Sequence, residues 1–84
     1  MVSAFVLINV KVGHERDILE QVKKIPYVQK SDRVYGVYDM VIKIEADNLE
    51  TLEAIVTKKI RTIKFIERTF TMIIQKVNSN LDFS

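Results

Sequence analysis

Residues 34–44 read V-Y-G-V-Y-D-M-V-I-K-I, and the fold of the chain is organised around this stretch. Gly36 separates two strand-like runs, which is typical of a tight turn or of a close backbone approach. Asp39 follows three residues later, and an alternating apolar run begins at Met40. The pattern predicts a hairpin in which the polar groups of Tyr38 and Asp39 lie next to the turn.

Strand and helix patterns alternate on either side of this hairpin. Residues 4–12 are apolar at every even position, which predicts a strand with one face in a core. Residues 14–25 and 48–62 carry apolar stripes with helical spacing, the second of them capped by Asp or Asn at 47 or 48. Residues 27–35 predict an edge or bulged strand, because they begin with polar positions, and residues 65–77 alternate as a last strand. The order is β-α-β-β-α-β.

This order predicts an α+β, ferredoxin-like sandwich of the dimeric α+β barrel type. Two right-handed βαβ crossovers sharing a central hairpin build a four-stranded antiparallel sheet with both helices on one face. The other sheet face is left uncovered, and an uncovered apolar face predicts face-to-face dimerisation. The hydrophobic content of 48% in 84 residues points the same way. We expect the uncovered face to carry Phe5, Leu7, Val41, Ile73 and the tyrosines.

Composition narrows the classes of function. Without cysteine the chain forms neither disulfides nor thiolate metal sites, and a net charge of +2 is too balanced to indicate nucleic acid by itself. The sequence shows no signal peptide, and no apolar run approaches the roughly 18 residues of a membrane span. We expect a cytoplasmic protein with one domain over residues 1–77 and a tail over residues 78–84.

The residues give little support for catalysis. The chain has a single histidine and lacks a nucleophile–base–orienter set, a Walker loop and a dinucleotide fingerprint. His14 opens the first helix, where we expect a solvated side chain and no metal site. Lys58, Lys59, Arg61 and Lys64 form a basic cluster that we interpret as a solvated helix end, with phosphate contact as the alternative. We predict no catalytic residue, no metal and no cofactor.

Three segments together resemble the effector domain of the Lrp/AsnC (feast/famine) transcription regulators, also called the RAM domain. Residues 36–39 match its hallmark, Gly-x-Tyr-Asp, and a strand and an acidic-capped helix, A-D-N-L-E-T-L from residue 46, follow as in the family. Residues 66–74, I-E-R-T-F-T-M-I-I, are similar to the family's threonine-containing closing strand. The resemblance covers about residues 3–77.

The resemblance implies a non-catalytic domain that binds a small amino acid and forms oligomers. Such domains form dimers through their sheets, the dimers assemble into octamers or decamers, and ligands bind at the seams between dimers. Transferred to this sequence, the ligand residues are Gly36, Val37, Tyr38, Asp39, Thr69 and Thr71. Asp39 would accept hydrogen bonds from the ligand's ammonium group. Replacing Asp39 with alanine is then expected to lower ligand affinity and to spare the fold.

Each of these residues also has a purely structural interpretation. Gly36 can serve the turn alone, Asp39 can bond to local backbone, and Thr69 and Thr71 are ordinary strand residues. Two alternatives for the whole chain stay open. One is a small enzyme on the dimeric α+β barrel scaffold, which needs a cleft with a buried His or acid. The other is a structural oligomerisation module, which would assemble without depending on Asp39.

Regulators of this family carry a helix-turn-helix domain before the effector domain. Here the first strand follows almost directly after Met1. We therefore expect a domain without a DNA reader, which binds neither DNA nor membrane directly and co-assembles with full-length regulators of its kind.

Overall fold

The computed structural model describes residues 1–74 and contains the predicted elements in the predicted order. The elements are β1 (Val2–Val10), α1 (Glu15–Lys23), β2 (Val28–Arg33), β3 (Met40–Ala46), α2 (Leu49–Ile55), a π-helical segment that continues α2 (Val56–Ile60), and β4 (Ile66–Ile74). All neighbouring strands are antiparallel, in the order β2-β3-β1-β4. The ferredoxin-like fold is confirmed. The end of the predicted last strand and the predicted tail, residues 75–84, lie outside the described residues.

One hydrophobic core lies between the sheet and the two helices. The even-numbered side chains of β1 from Ala4 onward and of β3 are buried, and they form a single cluster with the apolar stripes of both helices. The odd-numbered side chains of the same strands are only half-buried. Because successive strand residues point to opposite faces, both helices cover one face, and within residues 1–74 nothing covers the other. The buried residues are Ala4, Val6, Ile8, Val10, Ile18, Val22, Met40, Ile42, Ile44, Ala46, Leu52, Ile55, Val56 and Ile60.

Several local expectations are confirmed. Asn48 caps α2, because its Oδ1 accepts a hydrogen bond from the backbone N of Thr51 at 2.8 Å. The pairing of β2 with β3 shifts register between Val28 and Lys30, as the polar start of β2 predicts. The first strand has the predicted length but begins and ends two residues earlier than predicted, so that it ends at Val10, before the turn at Gly13.

The face of β4 is the main correction to the predicted sheet. Ile73 pairs with the fully buried Ala4, so it lies on the helix side and not on the uncovered face. Phe70 occupies the uncovered face instead, where it pairs with Leu7. Apolar residues stand at both odd and even positions of β4, so alternation alone does not orient the strand, and the partner strand decides. Phe5, Leu7 and Val41 lie on that face, as predicted, whereas Tyr27 and Tyr35 lie outside the strands.

His14, which was expected to be solvated, is only partly exposed. Its ring is half-buried and stacks on the ring of Phe65, with centroids 3.6 Å apart and planes inclined by 17°. Phe65 precedes β4 with φ of 75°, a left-handed conformation that turns the chain after the π-helical segment. The turn brings an aromatic ring to the start of α1, a contact between distant parts of the chain that local patterns do not predict.

Candidate functional site

The predicted ligand loop joins β2 to β3 and spans residues 34–39, which is longer than the tight turn predicted at Gly36. The backbone N of Val34 donates to the carbonyl of Asp39 at 2.9 Å and closes the loop. The backbone N of Asp39 donates to the carbonyl of Ile8 at 2.9 Å and aligns the loop with β1. Gly36 has φ of +142°, a conformation that L side chains rarely adopt, so the loop backbone requires glycine there.

The carboxylate of Asp39 takes the place of a backbone partner at the end of β1. Its Oδ2 accepts a hydrogen bond from the backbone N of the buried Val10 at 2.8 Å. β3 begins only at Met40, so this N–H lies beyond the regular ladder between the two strands. Without the carboxylate, a buried donor would lose its partner, at a cost of about 1–3 kcal/mol. The expectation that Asp39→Ala spares the fold therefore needs revision.

Asn9, near the end of β1, bonds to the loop and to β4. Its Nδ2 donates to the carbonyl of Val37 at 2.8 Å and to Oδ2 of Asp39 at 3.4 Å, while its Oδ1 accepts from Nε of Arg68 at 3.2 Å. A carbonyl and a carboxylate only accept, and a guanidinium only donates, so one orientation of the amide satisfies all three partners. Asn9 and Arg68 were not predicted as site residues. The one sign of this role in the sequence is that Asn9 is polar, whereas the residues before it in β1 are mostly apolar.

The side chain of Tyr38 packs on the uncovered sheet face. Its ring stacks with that of Phe70, with centroids 6.4 Å apart and planes inclined by 25°. The side chains of Tyr35 and Val37 are exposed. Residues 36–39 thus form one rim at the end of the sheet, fixed to β1 by hydrogen bonds and to β4 by an aromatic contact.

The structure does not bring the two predicted threonines to this rim. Thr69 pairs with Ile8 and Thr71 with Val6, so both lie on the helix-covered side of β4. β4 is two strands away from β3, which corresponds to roughly 10 Å across the sheet. Within one chain, the rim and the threonines therefore stand apart. Each threonine lines a shallow groove beside Arg61, of about 330 Å³ for Thr69 and about 200 Å³ for Thr71.

A groove of about 670 Å³ lies at the opposite end of the sheet, where β1 begins and β3 ends. Its carboxylate, Glu45, is 3.4 Å from Oγ of Ser3 and 3.9 Å from Nζ of Lys43. In residues 1–74, every buried residue is hydrophobic, and no group of three or more His, Cys, Asp or Glu side chains is placed to hold a metal. The described chain thus offers no buried acid or base for the enzyme alternative.

Replacing Asn9 with aspartate is expected to loosen the loop. The variant loses the donor to Val37 and adds a negative charge beside Asp39. We expect the hydrogen-bonded amides of Val34 and Asp39 to exchange with deuterium at least about tenfold faster, which corresponds to about 1.4 kcal/mol. The measurement is residue-resolved hydrogen exchange.

Asn48→Asp is the matched control for this measurement. It makes the same chemical change at the cap of α2, where aspartate serves as well as asparagine. Unchanged exchange of the two loop amides in Asn9→Asp would contradict the role of the amide.

Comparison with known proteins identifies the class of domain. The sequence model of the Lrp/AsnC ligand binding domain matches residues 3–79 of the 84. A crystal structure of FFRP-DM1 is 40% identical, with a TM-score of 0.86, and covers 89% of this chain and 100% of its own. The hypothetical protein PHS023 from Pyrococcus horikoshii is 37% identical, with a TM-score of 0.84, and covers 98% and 100%. The chain belongs to the Lrp/AsnC family of ligand-binding domains.

The sequence relatives are longer proteins. The HTH-type transcriptional regulator FL11 of Pyrococcus furiosus is 35% identical over 77 residues, which make up 92% of this chain and 50% of that protein. The chain thus spans about half the length of the curated relatives it matches. None of the helices in residues 1–74 combines the length and hydrophobicity that crossing a membrane requires.

Proposed function

We propose that this domain is a non-catalytic sensor, which binds an amino acid at the seams between subunits and tunes transcription regulators of its family. The observation that carries the proposal is the rim at residues 36–39, which presents free loop backbone beside Asp39 in a geometry held by β1 and β4. A preformed rim lowers the entropic cost of ordering a binding loop around a small ligand.

The position of the threonines supports a site built from two chains. Within one subunit, Thr69 and Thr71 lie on the helix side of β4, and β4 is two strand spacings, roughly 10 Å, from β3, where the rim ends. If one chain supplies the rim and its neighbour supplies the grooves, both sets contact one ligand. Such a ligand binds only the assembled form and stabilises it by mass action.

The uncovered sheet face supports assembly through the sheets. It carries a half-exposed apolar surface, of which Phe70 remains 51% exposed. Burial of apolar surface of this kind contributes about 25 cal/mol per Å². We propose a face-to-face dimer, with octamers or decamers formed by the seams between dimers. The apolar members of this face are Phe5, Leu7, Val41, Phe70, Met72 and Ile74.

The names of relatives support the regulatory role. Relatives are named transcriptional regulators, which favours a non-enzyme. A transcriptional regulator from Neisseria meningitidis, 14% identical with a TM-score of 0.81, is described as a complex with L-Met. Our proposal assigns DNA contact to full-length regulators that co-assemble with this domain through the same faces and seams.

Calorimetric titration with each of the twenty amino acids, together with the mass in solution, tests this proposal. We expect the binding of at least one amino acid to release or absorb heat. The same amino acid should shift the mass of the protein in solution towards that of the larger assembly. If none of the twenty amino acids gives a binding signal, the sensor proposal is wrong, and a structural oligomerisation module is the interpretation that is left. A mass that does not respond to a bound amino acid would contradict the location at the seams.

A further inference from the structure

Arg61 occupies an irregular position at the end of the second helix. Its backbone N donates to the carbonyl of Val56 at 2.9 Å, a bond that spans five residues and closes the π-helical segment. π-helical turns are rare and occur frequently at functional sites. The irregular turn lies beside β4, next to the two threonines of the predicted site.

Arg61 is shared by the two grooves that contain those threonines. It lines the groove of about 330 Å³ with Thr69 and the groove of about 200 Å³ with Thr71. The side chain is exposed, and both ion pairs found within residues 1–74 involve other residues. Glu67 lines the first groove and Glu53 the second, but neither is within ion-pair distance of Arg61. The guanidinium is therefore available to an external anion.

An amino acid presents a carboxylate as well as an ammonium group, and the rim at residues 36–39 offers the negative charge of Asp39 and neutral backbone groups, but no positive charge. A cationic side chain would add a charge-assisted contact to the carboxylate end of the ligand. Arg68 lies near the rim, but its Nε is already directed to Asn9. The planar guanidinium group of Arg61 can donate two parallel hydrogen bonds to a carboxylate.

The groove around Thr71 also indicates the kind of side chain that the ligand carries. Its lining combines three apolar residues, of which Ile73 is the exposed one, with polar residues; the apolar three are Leu52, Val56 and Ile73, and the polar ones are Glu53, Thr57, Arg61 and Thr71. A volume of about 200 Å³ lies below the range of about 300–1,000 Å³ for pockets that hold drug-sized ligands. The groove therefore suits a side chain and not a large molecule.

We propose that Arg61 binds the α-carboxylate of the ligand and that the adjoining groove takes an aliphatic side chain. The inference rests on the proposed function, in which Asp39 of a neighbouring subunit binds the ammonium group. Arg61 then sets the specificity for a free amino acid over its amide, and the groove selects aliphatic side chains.

The test compares free amino acids with their α-amides. The probes are L-leucine, L-isoleucine, L-valine and L-methionine and the corresponding amides, titrated by calorimetry. We expect the unmodified protein to bind at least one of the acids at least about tenfold more tightly than its amide, the equivalent of one lost charge-assisted contact. In Arg61→Gln, the acid is expected to bind as weakly as the amide. Arg61→Lys, which keeps the charge without the fork, should fall between the two.

Lys58→Gln is the matched control, because it removes the same charge from an exposed side chain three residues before Arg61, and Lys58 lines neither of the two grooves. It is expected to keep the preference for the acid, and thermal melting checks the fold of each variant. An Arg61→Gln protein that retains the full preference would overturn the assignment of Arg61. In the titration with all twenty amino acids, binding confined to polar amino acids would overturn the aliphatic groove. If the unmodified protein binds none of the twenty amino acids, the proposed function fails first and this inference fails with it.

Discussion

Replacing Asp39 with alanine is expected to lower both the stability of the domain and its affinity for amino acids, whereas asparagine should lower the affinity alone. Both side-chain hydrogen bonds of Asp39 go to the same oxygen, Oδ2, at 2.8 Å from the N of Val10 and 3.4 Å from Nδ2 of Asn9. The amide oxygen of asparagine can take over both bonds. It carries no negative charge for a ligand ammonium group.

The two variants therefore separate a structural from a binding role. For Asp39→Ala we expect a loss of about 1–3 kcal/mol, because the buried N–H of Val10 is left without a partner. In a domain of this size, each kcal/mol lowers Tm by about 4–8 °C. For Asp39→Asn we expect Tm within a few degrees of the unmodified protein and amino-acid affinity reduced about 10- to 100-fold, the size of a lost charge-assisted bond.

Thermal melting followed by circular dichroism and calorimetric titration give the two readouts. Asp47→Asn is the matched control, because it makes the same change at an exposed acid outside the loop. An Asp39→Ala protein that melts with the unmodified one would show that the bond to Val10 contributes little. Unchanged affinity in Asp39→Asn would contradict the contact with the ammonium group.

Phe70→Glu is expected to dissociate the proposed sheet-to-sheet dimer while leaving the subunit folded. Phe70 lies outside the hydrophobic core and on the uncovered face, where its ring contacts that of Tyr38. A two-fold interface contains the residue twice, so each change is felt in both copies. A loss of about 1.4 kcal/mol in each copy weakens the dimer about 100-fold, and burying the new charge adds to this.

Analytical ultracentrifugation over a range of protein concentrations measures this effect. Val12→Glu is the control, because it puts the same charge on an exposed apolar residue in the turn after β1, away from the sheet face. We expect Val12→Glu to retain the dimer and both variants to keep their circular dichroism spectra. A Phe70→Glu protein that dimerises like the unmodified one would rule out this face as the interface.

Much of the fold follows from local patterns in the sequence. The two periodicities separate strands from helices, Asn48 caps α2, and the polar start of β2 coincides with its shift in register. The element order then leaves few topologies, because βαβ crossovers are right-handed. The rim at residues 36–39 was also predictable, since a glycine with positive φ and the residues next to it act through local backbone.

The candidate site was predictable only where it is local. Asn9, Asp39 and Arg68 are far apart in sequence, and their hydrogen bonds depend on β1 lying between β3 and β4. The same neighbours decide that Thr69 and Thr71 face the helices and not the rim. No short-range pattern contains this information, because it arises from strand order and register.

The last strand shows the division between sequence and tertiary structure most clearly. The sequence by itself determined that residues 66–74 form a strand, since alternating and β-branched residues fit the pleated backbone. Only the tertiary structure decided which of its faces meets the helices, because both faces carry apolar residues. The pairing with β1 also shifts register between Asn9 and Val10, so that Ile66 packs on the core while Arg68 lies on the opposite face. A shift of one residue reverses every side chain beyond it, and the neighbouring strand, not the local pattern, fixes that shift.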